Sequence, residues 1–285
     1  MKDGTGERRH VWFNAPGAMQ KYWHVINIGI QNNLAYRVNF LARALFGLIP
    51  LTAMLYLWRA IYAGKGDSSV AGFSLAQMIS YYLIVQIVDA FTAVNEDDWQ
   101  IAADIKDGNI SQFLLKPVNY LWYRLCLFFA GRVTYLTVAA IPLALFIGWH
   151  HANFVLPQSF GHLVLFALSL VLTALLQFLM SYAMASLAFW LQEVSTFIFI
   201  FYAFEYLASG HLFPLDVLPP GLRTVMLYSP FPYQLYFPVS IYMGKASHDA
   251  LWFGFAMQLL WVSIAYGIAR LVWSRGLKKY SAVGG

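Results

Sequence analysis

Long apolar runs dominate this sequence and limit what the chain can fold into. They lie near residues 40–62, 73–94, 120–148, 162–190, 194–208 and 250–273. A helix of roughly 20 apolar residues crosses ~30 Å of hydrocarbon, and within lipid only helices and closed barrels satisfy every backbone hydrogen bond. We therefore predict an all-α, polytopic membrane protein with six transmembrane helices. Gln192 and Glu193 separate the fourth and fifth runs, since one run of that length would overshoot a bilayer.

Composition supports a membrane protein and leaves little room for anything else. Hydrophobic residues make up 60% of the 285 residues and charged residues only 11%, whereas soluble domains carry roughly 25% charged residues. Six crossings with their loops use nearly the whole chain, so no soluble catalytic domain is expected. The single cysteine, Cys126, can form no intrachain disulfide. The net charge of +5 comes from basic residues near helix ends, and we expect no nucleic-acid partner.

The distribution of Lys and Arg predicts the orientation. With both termini in the cytoplasm, thirteen of the 18 basic residues lie on the cytoplasmic side, four lie outside and Arg132 lies within a crossing. Cytoplasmic loops of membrane proteins carry such an excess. We therefore predict a multi-pass protein of a bacterial inner membrane with both termini in the cytoplasm.

The N-terminal part divides into a tail and an amphipathic helix. Residues 1–17 are polar and predict a flexible cytoplasmic tail, and residues 18–285 form a single transmembrane domain. Between residues 19 and 37, polar residues such as Gln20 and His24 recur on one side of a helix and apolar residues such as Ile26 and Ile30 on another. This pattern predicts a helix that lies in the membrane interface, in contact with lipid.

The cytoplasmic connection at residues 95–119 is too apolar for a solvated loop, which is the alternative. It begins Asn-Glu-Asp-Asp-Trp, with acidic residues where a helix N-terminus favours them. Ile101 and Ile105 share a helix face, and Gly108 can end the helix. We predict a short helix, a turn at residues 107–109 and a second short element ending at Pro117. Such a segment can dock into a partner protein.

The extracytoplasmic connection at residues 209–249 combines many prolines with many apolar residues. Its prolines include Pro214, Pro219, Pro220 and Pro230, and the pair at 219–220 suits a helix start. Broken helices are tolerated at membrane depth where they pack on protein or line a cavity. We predict a re-entrant helical hairpin between the fifth and sixth crossings; an amphipathic cap on the surface is the alternative.

Three charged residues lie inside predicted crossings: Asp89, Arg132 and Glu205. Charges at membrane depth are costly and normally face protein or water. In one interpretation Asp89 or Glu205 lines a path for cationic or hydrogen-bonding cargo. In the other, which we favour, Arg132 pairs with one of these carboxylates and holds the bundle together.

Three features of the sequence resemble the membrane subunits of type-2 ABC exporters, the ABC-2 type transport permeases. They are the interfacial helix, the stretch Ile-Lys-Asp-Gly-Asn-Ile-Ser-Gln-Phe-Leu-Leu-Lys-Pro at 105–117, and Gly-His-Leu-Phe-Pro-Leu-Asp-Val-Leu-Pro at 210–219. The second is similar to the Gly-x-Ile-x-x-Phe-Leu-Leu-Lys-Pro signature of one branch. The resemblance implies a permease that pairs with a second permease, identical or different, and with two ATPase subunits. The residues that it implies contact the ATPase are Trp99, Ile101, Ile105, Lys106, Gly108, Phe113, Leu114 and Pro117.

The sequence predicts no enzymatic activity for the chain by itself. It has no Gly-x-x-x-x-Gly-Lys-(Ser/Thr) loop, so ATP and Mg²⁺ are expected in the partner ATPase, with no cofactor or metal on this chain. The rival class is an ATP-independent secondary transporter or channel. Its sign would be inverted repeats, and no convincing internal similarity is visible.

Overall fold

The structure, a computed structural model, describes residues 15–64, 69–94, 97–116 and 118–280. Within these ranges the chain is helical apart from turns and one isolated β-bridge between Val70 and Phe73. The described α-helices are α1 (Ala15–Ala35), α2 (Arg37–Ala63), α3 (Leu75–Thr92), α4 (Asp97–Lys106), α5 (Ile110–Leu114), α6 (Tyr120–Trp149), α7 (Phe160–Ala185), α8 (Val194–Ala208), α9 (Pro220–Leu227), α10 (Tyr236–Tyr242) and α11 (His248–Lys279).

Five helices are long and apolar enough to cross a membrane. They are α2, α3, α6, α11 and the combined segment Phe160–Phe189, in which α7 continues into a 3₁₀ turn. The predicted fifth crossing is present as α8, which has 15 residues and is therefore about 22 Å long. This is shorter than the ~30 Å of a bilayer core. The all-helical prediction is confirmed, and five of the six predicted helices have the length of a crossing.

The centre of the bundle consists of α3 and α7, the most buried of the five long helices. A capping box between Ser74 and Gln77 begins α3. Side chains such as Met78, Leu83 and Ile84 of α3 are fully buried, and α7 packs against α3, α10 and α11. The peripheral helices α2, α6 and α11 expose many large apolar side chains, as expected where lipid is the solvent.

The predicted interfacial helix at 19–37 is present as α1, which extends from Ala15 to Ala35 and packs along α6. A turn at Tyr36 leads directly into α2. Gly29 allows the close approach, because a Cβ atom there would lie 2.8 Å from that of Ala130. Most of the predicted tail at 1–17 lies outside the described residues.

The bundle has two ends, which we name after their surface helices. The α4 end comprises α4, α5, the connection at 186–193 and the last turn of α11, where the Tyr280 hydroxyl bonds to Gly108 and Ser111. The α9 end comprises the 70–73 bridge, the turn at 151–153, α9 and the first turns of α11. There Lys245 donates to the Gly72 carbonyl, and Tyr228 contacts Phe253.

The segment at 209–249 contains the predicted pair of short helices, α9 and α10. Its prolines lie at helix and turn boundaries: Pro214 before the 3₁₀ turn Leu215–Val217, Pro219 as N-cap of α9, Pro220 as its first residue, and Pro230 before the 3₁₀ turn Phe231–Gln234. Side chains of the long helices bind the carbonyls of this segment. Tyr81 donates to Gly210 (2.6 Å) and Tyr82 to Leu212 (2.7 Å). Protein groups thus supply the hydrogen bonds that lipid cannot.

Buried amides hold the second turn of this segment in the same way. Gln258 of α11 donates to the Tyr233 carbonyl (3.0 Å), and so does Thr173 of α7 (3.0 Å). Gln177 donates to the carbonyl of Gln234 (3.1 Å). The part of the segment that contains α10 therefore belongs to the bundle core, and α10 is buried along its whole length, whereas α9 has no buried residue.

Candidate functional site

Helix α4 has one face against the bundle and one face exposed. Ile101, Ala102 and Ile105 are buried beside α7 and the turn at 186–189, whereas Trp99 and Lys106 are exposed. Ile101 and Ile105 therefore hold α4 in place and are not available to another protein. Of the predicted contact residues on α4, Trp99 and Lys106 are on the free surface.

Helix α5 continues this surface after a tight turn. Gly108 has φ +77°, a conformation that glycine adopts without strain, and ends α4 as predicted. The half-buried ring of Phe113 packs between the rings of Tyr120 and Tyr123, with ring centroids 5.1 Å and 5.0 Å away. Leu114 projects outward, with 55% of its surface exposed. Pro117, which ends the predicted signature, lies outside the described residues.

Polar contacts fix α4 and α5 to the ends of two long helices, α6 and α11. Tyr280 of the α11 end donates to the Gly108 carbonyl at 3.0 Å. Asp104 accepts from the Tyr120 hydroxyl of α6 at 2.7 Å and lies 3.8 Å from Arg124. The surface formed by Trp99, Lys106 and Leu114 is therefore attached to the bundle through these contacts.

One contact joins α4 directly to α8. The carboxylate of Asp98, only 1% exposed, accepts from the Tyr202 hydroxyl at 2.9 Å and from the backbone N–H of Trp99 at 2.9 Å. Ala102 packs beside this bond against Val194 and Ile198 of α8. The sequence analysis did not select Asp98 or Tyr202. Asp98 is one of three consecutive acids, and nothing local marks which of them is buried.

A polar cleft of about 410 Å³ lies beside α8 inside the bundle. It contains all three charged residues predicted within crossings, Asp89 of α3, Arg132 of α6 and Glu205 of α8. Its other polar lining residues are Arg43, Gln86, Tyr135, Gln177, Tyr202, Tyr206, His211 and Gln234. Tyr202 therefore contacts the surface helix α4 through its hydroxyl and also lines the cleft.

A side-chain contact within the cleft joins Asp89 of α3 to His211, which the sequence analysis did not select. Asp89 pairs with His211 at 3.1 Å, and the other ring nitrogen of His211 lies 2.7 Å from the Ser209 hydroxyl. The Tyr206 ring stacks on the imidazole of His211, with the ring centroids 5.1 Å apart. Arg132 lies over the rings of neighbouring aromatic residues of α6. We predicted that Arg132 pairs with Asp89 or Glu205; the structure brings His211 to Asp89, because the turn after α8 leads to α3.

These observations define a class: a polytopic helical membrane protein with a polar cleft in its bundle and a surface region joined to that cleft. The family of ABC-2 family transporter proteins matches residues 48–284, nearly the whole chain. The chain belongs to that family. No curated protein matches the sequence.

Proposed function

We propose that this chain is the membrane-spanning permease subunit of an ATP-driven exporter. ABC-2 family permease domains generally pair with ABC ATPases. In our proposal two ATPase subunits hydrolyse ATP with Mg²⁺, and the surface formed by Trp99, Lys106 and Leu114 contacts one of them. The observation that carries the proposal is the Asp98–Tyr202 contact. It connects this surface to α8, and α8 lines the polar cleft.

A second permease, identical or different, completes the path in this proposal. The cleft is partly open and holds Asp89, Glu205 and Arg132. Charged groups at membrane depth face protein or water rather than hydrocarbon, because transfer into hydrocarbon costs several kcal/mol. A partner permease that covers the cleft would leave a polar path between the two chains.

The proposed topology has six crossings, with both termini in the cytoplasm of a bacterium and the α4 end facing inward. Helix α8 makes the fifth crossing together with the non-helical residues that follow it, and 209–249 is re-entrant from the outside. The excess of Lys and Arg on the side of the termini supports this orientation.

The docking surface can be tested by co-purification with the ATPase. We expect Trp99→Ala and Leu114→Ala to weaken ATPase binding by about 30-fold each, because a central apolar interface residue contributes ~2 kcal/mol. Trp252→Ala is the matched control, since Trp252 is also exposed but lies near the start of α11, at the α9 end.

Ile101→Ala separates docking from folding. This side chain is buried, so the variant is expected to lower thermal stability, whereas the two docking variants keep wild-type stability. ATPase binding that is unchanged in both docking variants would refute the assigned surface. Transport by proteoliposomes that lack the ATPase would favour the ATP-independent alternative.

A further inference from the structure

A second groove, of about 500 Å³, lies between α2 and α6 towards the α9 end. Its α2 side is formed by Leu45, Leu48, Thr52, Tyr56 and Arg59, which follow one another at the helical spacing of three or four residues. The distance along α2 from the first to the last is about 21 Å. Half of a ~30 Å hydrocarbon core is ~15 Å, so the groove is long enough to hold an acyl chain within one leaflet.

The groove is apolar along most of its length. Pro142, Leu145 and Phe146 form its α6 side. Thr52 adds no unpaired polar group, because its hydroxyl donates to the Leu48 carbonyl of its own helix at 2.6 Å. This part of the groove therefore fits a hydrocarbon chain.

Charged and hydrogen-bonding side chains are concentrated where the groove reaches the α9 end of the bundle. Arg59, His150 and Asn153 lie there beside Tyr56 and Trp149, both of them largely exposed. Tyr and Trp are enriched at the headgroup level of membranes. The polar end of the groove is thus at the depth where a lipid headgroup begins.

Arg59 supplies a positive charge at this end. Its guanidinium lies over the Tyr56 ring at 5.6 Å, and within the described residues it forms no ion pair. Arg presents a planar set of donors that matches phosphate. His150 donates through Nδ1 to the Phe146 carbonyl, which leaves Nε2 as its remaining polar atom.

We propose that this groove binds a phospholipid of the leaflet at the α9 end. The acyl chain lies along Leu48, Thr52 and Leu145, and the phosphate binds Arg59. The proposal rests on the distribution of charge and apolar surface along the groove. It does not depend on the partner ATPase or on the proposed direction of transport.

Native mass spectrometry of the detergent-purified full chain tests the proposal. The two probes are dioleoylphosphatidylglycerol and dioleoylglycerol, which share their acyl chains and differ in the phosphate headgroup. We expect Arg59→Gln to bind the phospholipid about tenfold more weakly than wild type, as for the loss of a charge-assisted hydrogen bond. Binding of dioleoylglycerol by the same variant is expected to equal that of wild type.

The matched control is Arg270→Gln. Arg270 also stacks on a tyrosine of its own helix, Tyr266, at 5.8 Å, but it does not line the groove. It should bind both probes as wild type does. Leu145→Trp fills the groove without changing its charge and is expected to reduce the binding of both probes.

Three results would overturn the proposal. The first is equal phospholipid binding by Arg59→Gln and Arg270→Gln, and the second is equal binding of the two probes by wild type. The third is a disulfide between Thr52→Cys and a second permease in the assembled complex, because it would identify a protein helix as the occupant.

Discussion

Replacing Tyr202 with phenylalanine removes one oxygen atom from α8 and deprives the buried carboxylate of Asp98 of a 2.9 Å hydrogen bond. Hydrogen bonds to charged groups contribute ~1.5–3 kcal/mol. The carboxylate keeps its bond from the Trp99 backbone, so we take ~2 kcal/mol as the loss. Since ~1.4 kcal/mol is a factor of ten, the coupling between α4 and α8 should weaken by about 30-fold. If α8 moves with α4, ATP should then no longer shift α8.

Spin labels can measure this movement without knowledge of the substrate. Cys126 is the single cysteine, so a Cys126→Ala background accepts labels at Phe199→Cys of α8 and Leu259→Cys of α11, both exposed positions. Double electron–electron resonance measures the distance between the two labels, which is compared between the nucleotide-free and the ATP-trapped complex. We expect a nucleotide-dependent shift that is present in this background and largely lost when Tyr202→Phe is added.

Tyr206→Phe is the matched control, because Tyr206 lies one turn further along α8 and contacts His211 through its ring, which phenylalanine retains. The shift should persist in this variant. A full shift with Tyr202→Phe, or an equal loss in both variants, would refute the assignment of the Asp98–Tyr202 bond as the coupling contact. ATPase binding should stay unchanged in both, since neither tyrosine is on the docking surface.

Two further predictions concern glycines, each with a matched control. Gly254→Ala should lower the unfolding free energy by ~1–3 kcal/mol, because the new Cβ would overlap the ring of Phe237 in α10. Gly267→Ala in the same helix, with nothing within 4 Å, should be neutral or slightly stabilising. Gly210 has φ +101°, and a Cβ added there by Gly210→Ala would lie 2.7 Å from the Tyr81 hydroxyl. Gly72 has φ +77°, but a Cβ added by Gly72→Ala would have no atom within 4 Å. Thermal melting should therefore show the larger loss for Gly210→Ala, and equal losses within either pair would contradict the packing argument.

The helices could be predicted from sequence because their signal is local. A run of apolar residues of sufficient length identifies a crossing wherever it lies, and the acids at 96–98 and Gly108 identified α4 and its end. The short helix α8 was also predicted at its observed bounds, because Gln192 and Glu193 interrupt the apolar run.

The contacts of the site depend on residues far apart in the chain and were largely missed. His211 pairs with Asp89 across 122 positions, and Tyr202 bonds Asp98 across 104. A second difficulty is that the apolar face of a helix does not by itself reveal what it packs against. Ile101 and Ile105 form an apolar stripe that could face either the bundle or a partner, and only the packing of α4 shows that they face the bundle.

The shortness of α8 explains why the polar cleft lies where it does. At about 22 Å the helix ends before a bilayer core of ~30 Å is crossed, so residues 210–212 continue the chain outside the helix. Tyr81 and Tyr82 of α3 bind the carbonyls of these residues, and the same turn brings His211 to Asp89. The end of α8 and the turn after it thus place Glu205, Tyr206 and His211 in the cleft, while the first turns of α8 contact α4. A helix with this placement can link a movement at the membrane surface to a change in the cleft, which is the link that the proposed ATP-driven transport requires.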